Sequence, residues 1–152
     1  MTLTAGMPAP DFELVDQTRA KRTLADFKGN KTLIVFIPFA FSGTCEGELC
    51  YIRDQRAKLN EFDANVVAIS VDHYFSNKRW AEDNGFDFPL LSDYWPHGEV
   101  AKAYGAFNDR SGSANRYTFV LDEQGIVRNV INTEELGVAR EFDAYTEALA
   151  AI

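Results

Sequence analysis

Residue types suited to metal binding or cross-linking are scarce in this chain: 152 residues hold only two cysteines, Cys45 and Cys50, and two histidines, His73 and His97. Two cysteines and no export pattern suit a reducing compartment, with catalytic or metal use in preference to a structural bridge. A zinc site fits poorly, because the histidines stand far apart instead of a few residues apart. We expect no metal and no bound cofactor, with His73 and His97 as surface or capping residues. Positive charge is also short: 15 Lys and Arg face 23 Asp and Glu, a net charge of −8, with no basic cluster. Nucleic acid and anionic membrane are therefore unsuited as partners. No apolar stretch nears the ~20 residues of a membrane-spanning helix. The N-terminus lacks the charged and apolar regions of a signal peptide, so a cytoplasmic enzyme is expected. Repeats, low-complexity segments and linkers are missing too, and at 46% hydrophobic the chain reads as one domain, residues 1–152.

What is present is organised around residues 32–62. Thr32-Leu33-Ile34-Val35-Phe36-Ile37 is a continuous apolar run that predicts a buried strand. It ends at Pro38 and opens into the loop Phe39-Ala40-Phe41-Ser42-Gly43-Thr44. Cys45, Leu49, Ile52, Leu59 and Phe62 then follow at three-and-four spacing, which predicts one amphipathic helix packed on a sheet. With Ser42 as N-cap, Cys45 falls at N3, where capping helices usually place a carboxylate. Unpaired N–H groups and the positive end of the helix favour a thiolate there, and the thiolate is the nucleophilic form. A buried structural cysteine is the alternative reading of the helix start alone.

Around this unit the chain reads in order as follows. Residues 1–11 form an irregular lead-in broken by Pro8 and Pro10. Phe12 to Val15 suggests an edge strand, Gln17 to Arg22 a turn, and Leu24 to Lys28 a short helical turn closed by Gly29. Val66 to Val71 is a second apolar strand, and two such strands joined by a helix imply parallel pairing with a right-handed crossover. A helix from Phe75 to Asn84 stops at Gly85; Phe88 to Leu91 is a short strand and Val100 to Tyr104 a short helix. Tyr117 to Leu121 and Ile126 to Ile131 flank Asp122-Glu123-Gln124-Gly125, a hairpin signal, and a last helix covers Ala139 to Ala150. The expected fold is α/β: a thioredoxin-like sandwich, with a mixed central sheet and helices on both faces.

Pro38-x-x-x-Ser42-x-x-Cys45 resembles the active-site signature of the peroxiredoxins, Pro-x-x-x-Thr/Ser-x-x-Cys. Pro8-Ala9-Pro10-Asp11-Phe12, Phe88-Pro89-Leu90-Leu91-Ser92-Asp93 and Ala114-Asn115-Arg116-Tyr117-Thr118-Phe119 match further family segments in order. Tyr94-Trp95-Pro96-His97-Gly98 resembles the one-cysteine alkyl hydroperoxide reductase E group in particular. The resemblance implies a thiol peroxidase that reduces hydrogen peroxide and organic hydroperoxides. Such a displacement needs a thiolate, donors that align the peroxide, and positive charge for the departing oxygen. Cys45 is then the nucleophile, Ser42 a hydroxyl in reach of the sulfur and the peroxide, Pro38 a shield against water, and Arg116 the cation. Gly43 is expected to relieve crowding in the loop.

Glu48, one turn beyond Cys45, either fixes the Arg116 guanidinium or sits on a solvated face. Trp80 falls where the family keeps a helix tryptophan near the site, or it is core. The family's frequent preceding histidine is Asn77 here. Phe39 and Phe41 form an apolar mouth for organic hydroperoxides or pack against a partner subunit, a homodimer being common among relatives. Cys50 departs from the one-cysteine group and matches the resolving position of the related bacterioferritin-comigratory group. Five residues along a helix separate Cα atoms by ~8.6 Å, whereas a disulfide needs them within ~7 Å. A Cys45–Cys50 bridge therefore requires the first turns to unwind; otherwise Cys50 only packs and an external thiol resolves Cys45. The reductant implied is a thioredoxin-, glutaredoxin- or mycoredoxin-like protein, or a low-molecular-weight thiol. Two rivals remain. A thiol–disulfide oxidoreductase on this fold wants Cys-x-x-Cys and a proline ahead of the hairpin strands, and neither is here. A redox sensor or holdase would share the residues but would not turn over.

Overall fold

The apolar runs fold as strands and the three-and-four patterns as helices over residues 3–152, which the computed structural model describes. Residues 1 and 2 of the expected lead-in lie outside the described residues. In chain order the elements are β1 (Glu13–Val15), β2 (Lys21–Thr23), a 3-10 turn (Leu24–Phe27), β3 (Thr32–Phe36), α1 (Gly43–Asp54), α2 (Arg56–Asn60), β4 (Asn65–Ser70), α3 (Tyr74–Asn84), β5 (Leu90–Ser92), α4 (Glu99–Ala103), β6 (Phe107–Asn108), β7 (Ser113–Ala114), β8 (Tyr117–Leu121), β9 (Val127–Asn132) and α5 (Phe142–Ala150).

Seven strands make one sheet in the order β2-β1-β5-β4-β3-β8-β9. β3, β4 and β5 are parallel, as two helical crossovers demand, and the remaining pairs are antiparallel. Alternation along the fully buried β3 sends its side chains to two cores. Leu33, Val35 and Ile37 meet Cys45, Leu49 and Ile52 of α1, Trp80 of α3 and Leu149 of α5. Ile34 and Phe36 meet Phe27, Val100, Ala101 and Tyr104 on the other face. The expected mixed sheet with helices on both faces is the observed architecture.

Several local readings need correction. The predicted helix from Cys45 to Phe62 is two helices, broken at Gln55 (φ −104°, ψ 17°). Its apolar spacing would bury position 56, which is an arginine. The break carries Arg56 to the rim, where Nη1 meets Asp87 Oδ1 at 3.2 Å and the guanidinium lies 5.7 Å from the Phe88 ring centre. The predicted edge strand at 12–15 is not at the edge, because the supposed turn at 17–22 contains the start of β2, which covers it. Asp16 Oδ1 organises that hairpin by accepting from the backbone N–H groups of Thr18 (2.8 Å) and Ala20 (3.1 Å). The last helix starts at Phe142 instead of Ala139, since the Arg140 backbone N–H is drawn to a glutamate on α1. The two-residue strands β6 and β7 carry no sequence pattern long enough to read. The lead-in is irregular, as expected, but pinned: Gly6 and Ala9 donate to Val127 and Gly125 carbonyls on the β8–β9 hairpin.

Candidate active site

β3 delivers the chain to the site. The Ile37 N–H still bonds the Ile69 carbonyl at 3.0 Å, after which buried Pro38, which has no N–H, ends the ladder. The loop is tied to the end of β4 by the Ala40 N–H, 2.7 Å from Asp72 Oδ2, and turns through Phe41 at φ 68°. Ser42 is the N-cap by backbone geometry, its carbonyl accepting from Glu46 N–H at 2.9 Å, so Cys45 stands at N3. The Ser42 hydroxyl makes neither a capping bond nor a bond to the sulfur; it is buried and unpartnered among the described residues. Gly43 does not relieve crowding, because a Cβ there would meet nothing within 4 Å. It is N1 of α1 and faces open space.

Cys45 is fully buried. Arg116, immediately before β8, is brought beside it because β8 runs antiparallel to β3 with Thr118 opposite Val35. Its Nη2 donates to Cys45 Sγ at 3.2 Å, its Nη1 to Glu48 Oε1 at 2.6 Å, and its Nε to the Leu136 carbonyl. Glu48 is therefore no solvated residue; it is 8% exposed and anchors the guanidinium.

A second arginine escaped the sequence reading. Arg140 lies buried before α5 and donates Nη2 to Glu48 Oε1 (2.8 Å), Nε and its backbone N–H to Oε2 (2.9 and 2.8 Å), and Nη1 to the Phe36 carbonyl (2.8 Å). The available signal was that Arg140 is the lone cation between Glu134 and Glu147. Burial pushes the Glu48 carboxyl up, but the Arg140 hydrogen bonds and charge, with the Arg116 charge, outweigh it and hold the group below its ordinary value. Two guanidinium groups and one carboxylate leave one positive charge in the cage, and the Cys45 sulfur faces it.

Trp80 is fully buried and adjoins the site: its Nε1–H donates to Glu46 Oε1 at 2.9 Å and its ring lies 5.9 Å from that of Phe41. Asn77, one turn earlier, is buried with both amide atoms unpartnered among the described residues, so it does not replace a histidine contact. Phe39 and Phe41 are 40% and 51% exposed. His73 caps α3, accepting from Phe75 N–H, and His97 Nε2 meets the Gly112 carbonyl at 2.6 Å. Cys50 sits farther along the intact α1, half-buried and unbridged.

The comparisons with known proteins concern the whole chain. The AhpC/TSA family profile matches residues 5–130. The chain belongs to the AhpC/TSA family of peroxiredoxins. Over 151 residues this peroxiredoxin is 46% identical to alkyl hydroperoxide reductase E of Mycobacterium tuberculosis, covering 99% of this chain and 98% of that protein. It is 30% identical to peroxiredoxin-2 of Bos taurus, covering 91% of this chain and 73% of that one. The crystal structure of peroxidoxin BcpB from Mycobacterium tuberculosis superposes with a TM-score of 0.88 at 33% identity, covering 99% and 98% of the two chains. As a peroxiredoxin, the protein is a thiol-dependent peroxidase. Its family works on peroxides with thiol reductants and forms oligomers. No helix among the described residues is long and apolar enough to cross a membrane.

Proposed function

We propose that Cys45 is the peroxidatic nucleophile, with Arg116, Ser42 and Pro38 forming the rest of the reacting site. The observation that carries this is Arg116 Nη2 at 3.2 Å from the Cys45 sulfur, inside a buried cage with one surplus positive charge. The cage places a guanidinium donor and positive charge directly against the sulfur, where charge develops on the departing oxygen. The thiolate attacks the terminal oxygen of a hydroperoxide, the O–O bond breaks, and the departing alkoxide or hydroxide takes a proton. Cys45 is left as sulfenic acid. Arg116 and the unpaired N–H groups of the first turn of α1 face the developing charge, and the unpartnered Ser42 hydroxyl is free for the peroxide. Pro38 covers the sulfur without presenting a competing N–H.

The substrates are hydrogen peroxide and organic hydroperoxides, the latter aided by the exposed Phe39 and Phe41 rings. Cys50 resolves the sulfenic acid after the start of α1 unwinds, giving a Cys45–Cys50 disulfide. A thioredoxin-, glutaredoxin- or mycoredoxin-like protein or a low-molecular-weight thiol reduces it. The protein acts in the cytoplasm as one domain and as a homodimer, which would cover exposed aromatics such as Phe75 and Trp95. Peroxide turnover with candidate reductants tests the scheme. Cys45→Ser abolishes it, whereas Cys50→Ser retains the first peroxide equivalent and loses or changes recycling. Full turnover by Cys45→Ser overturns the assignment, and a persistent sulfenate with a free Cys50 thiol in the wild type overturns the bridge.

A further inference from the structure

The last residue of α3 holds both ends of one turn of α1. Asn84 Nδ2 donates to Glu46 Oε1 at 3.3 Å, while Asn84 Oδ1 accepts from Cys50 Sγ at 3.7 Å. Glu46 and Cys50 are four apart and share a helix face. The same Glu46 oxygen takes the Trp80 indole N–H at 2.9 Å. Asn84 is itself fixed, its Nδ2 also meeting the Trp80 carbonyl at 3.0 Å and its own carbonyl taking Arg53 Nη1. Glu46 directly follows the reacting cysteine, so the first turns of α1 cannot leave the helix without releasing this carboxylate.

We infer that Asn84 and Glu46 form a clamp that positions the resolving thiol and sets how fast Cys45 reaches it. This rests on the reading of Cys50 as the resolving cysteine. With the clamp shut, the thiol of Cys50 donates to an amide oxygen and is held along the helix from Cys45. Burial, supported by the nearby Glu46 and Asp54 carboxylates, pushes that thiol up, in keeping with its role as a donor. With the clamp open, the Cys50 sulfur attacks the Cys45 sulfur of the sulfenic acid. The S–S bond forms as the S–O bond breaks, and hydroxide leaves with the Cys50 proton as water. While the clamp stays shut, a second peroxide competes and carries Cys45 on to sulfinic acid. Asn84 and Glu46 are thus positioning residues that divide the sulfenic acid between recycling and inactivation.

The test uses the full chain as Asn84→Ala, Glu46→Ala and Glu46→Gln. Disulfide formation is timed by acid quench and mass spectrometry after one equivalent of hydrogen peroxide, and sulfinate is counted after excess peroxide. Amide exchange across residues 43–50 is read in the reduced proteins, with thermal unfolding checking that each variant folds. Losing the clamp bonds speeds bridge formation about tenfold in both alanine variants, lowers the sulfinate fraction and raises exchange across the first turns. Glu46→Gln keeps the acceptor oxygen and behaves like the wild type, a rescue that a role in charge alone would not give. Unchanged exchange and bridging in both alanine variants overturn the clamp, as does a glutamine variant as fast as alanine. Faster exchange without any bridge, even in the wild type, overturns the resolving role of Cys50 and the gating with it. Exchange in the reduced protein needs no cysteine chemistry, so the two failures are distinguishable.

Discussion

Replacing Glu48 by glutamine tests the centre of the site. The side chain keeps its size and loses its charge. In the native cage Oε1 accepts from Arg116 and Arg140 side chains, and Oε2 accepts from the Arg140 side chain and backbone. An amide offers one oxygen, and its NH2 must face donors. Two nearly fully buried guanidinium groups lose the carboxylate they share. Breaking a buried pair in this way costs about 3–5 kcal/mol. For a chain of this size each kcal/mol moves the melting temperature by about 2–4 °C, so a drop on the order of 10 °C is expected at neutral pH. Arg116 loses its anchor too, and the second-order rate of Cys45 with hydrogen peroxide falls by at least tenfold. The pH dependence carries a second signature. Glu48 is held below its ordinary value of 4.5 in the folded protein. Its stabilisation is therefore complete above that value and fades as pH falls through the lower folded one. Glu48→Gln loses this part of the acid limb. Calorimetry from pH 3 to 8 with stopped-flow peroxide kinetics decides the matter. A melting temperature within about 2 °C of wild type, with an unchanged rate, would refute the cage as described.

Arg116→Lys keeps a charge but loses the planar fork that spans sulfur, carboxylate and the Leu136 carbonyl. Its peroxide rate falls by roughly 10- to 100-fold, read by competition kinetics, and a rate equal to wild type would remove Arg116 from the reacting site. Ser42→Ala separates activity from stability, because the buried hydroxyl has no partner to lose among the described residues. The melting temperature holds or rises, while the peroxide rate drops about tenfold; a fall in stability with an intact rate would show that the hydroxyl serves the fold.

The parts legible in the sequence are those fixed by neighbours along the chain. β3, Pro38, the N-cap and Cys45 at N3 follow from local pattern, and the parallel crossovers follow from the spacing of apolar runs. Arg116 was readable only because a motif marks it and because a strand after it must pair with β3. Arg140 was barely readable: being the lone cation between Glu134 and Glu147 marks it only weakly, and its role is defined by a carboxylate 92 positions away. The break at Gln55 went unread for a related reason. Its cause is the cost of burying Arg56, which appears only once the core beneath the helix is known. Ser42 shows the opposite failure. Its place at the N-cap was legible, but side-chain capping was not the use made of it.

The cage also limits how much of α1 must unwind for the proposed bridge. Glu48 lies between the two cysteines and is held by four hydrogen bonds from two arginines anchored in other elements. Unwinding from the cap can release the Thr44 hydroxyl from the Gly137 carbonyl, Cys45 from Arg116 and Glu46 from Trp80 and Asn84. It meets its strongest resistance at Glu48. Three residues of extended chain reach ~10 Å, so Cys45 tethered to a fixed Glu48 has the slack to close the ~8.6 Å helical separation from Cys50 to disulfide range. Melting fewer than two turns is sufficient, and the rest of α1 keeps Leu49 and Ile52 in the core. The cage that holds Arg116 against Cys45 would therefore also serve, in the proposed cycle, as the fixed point about which the oxidised sulfur swings.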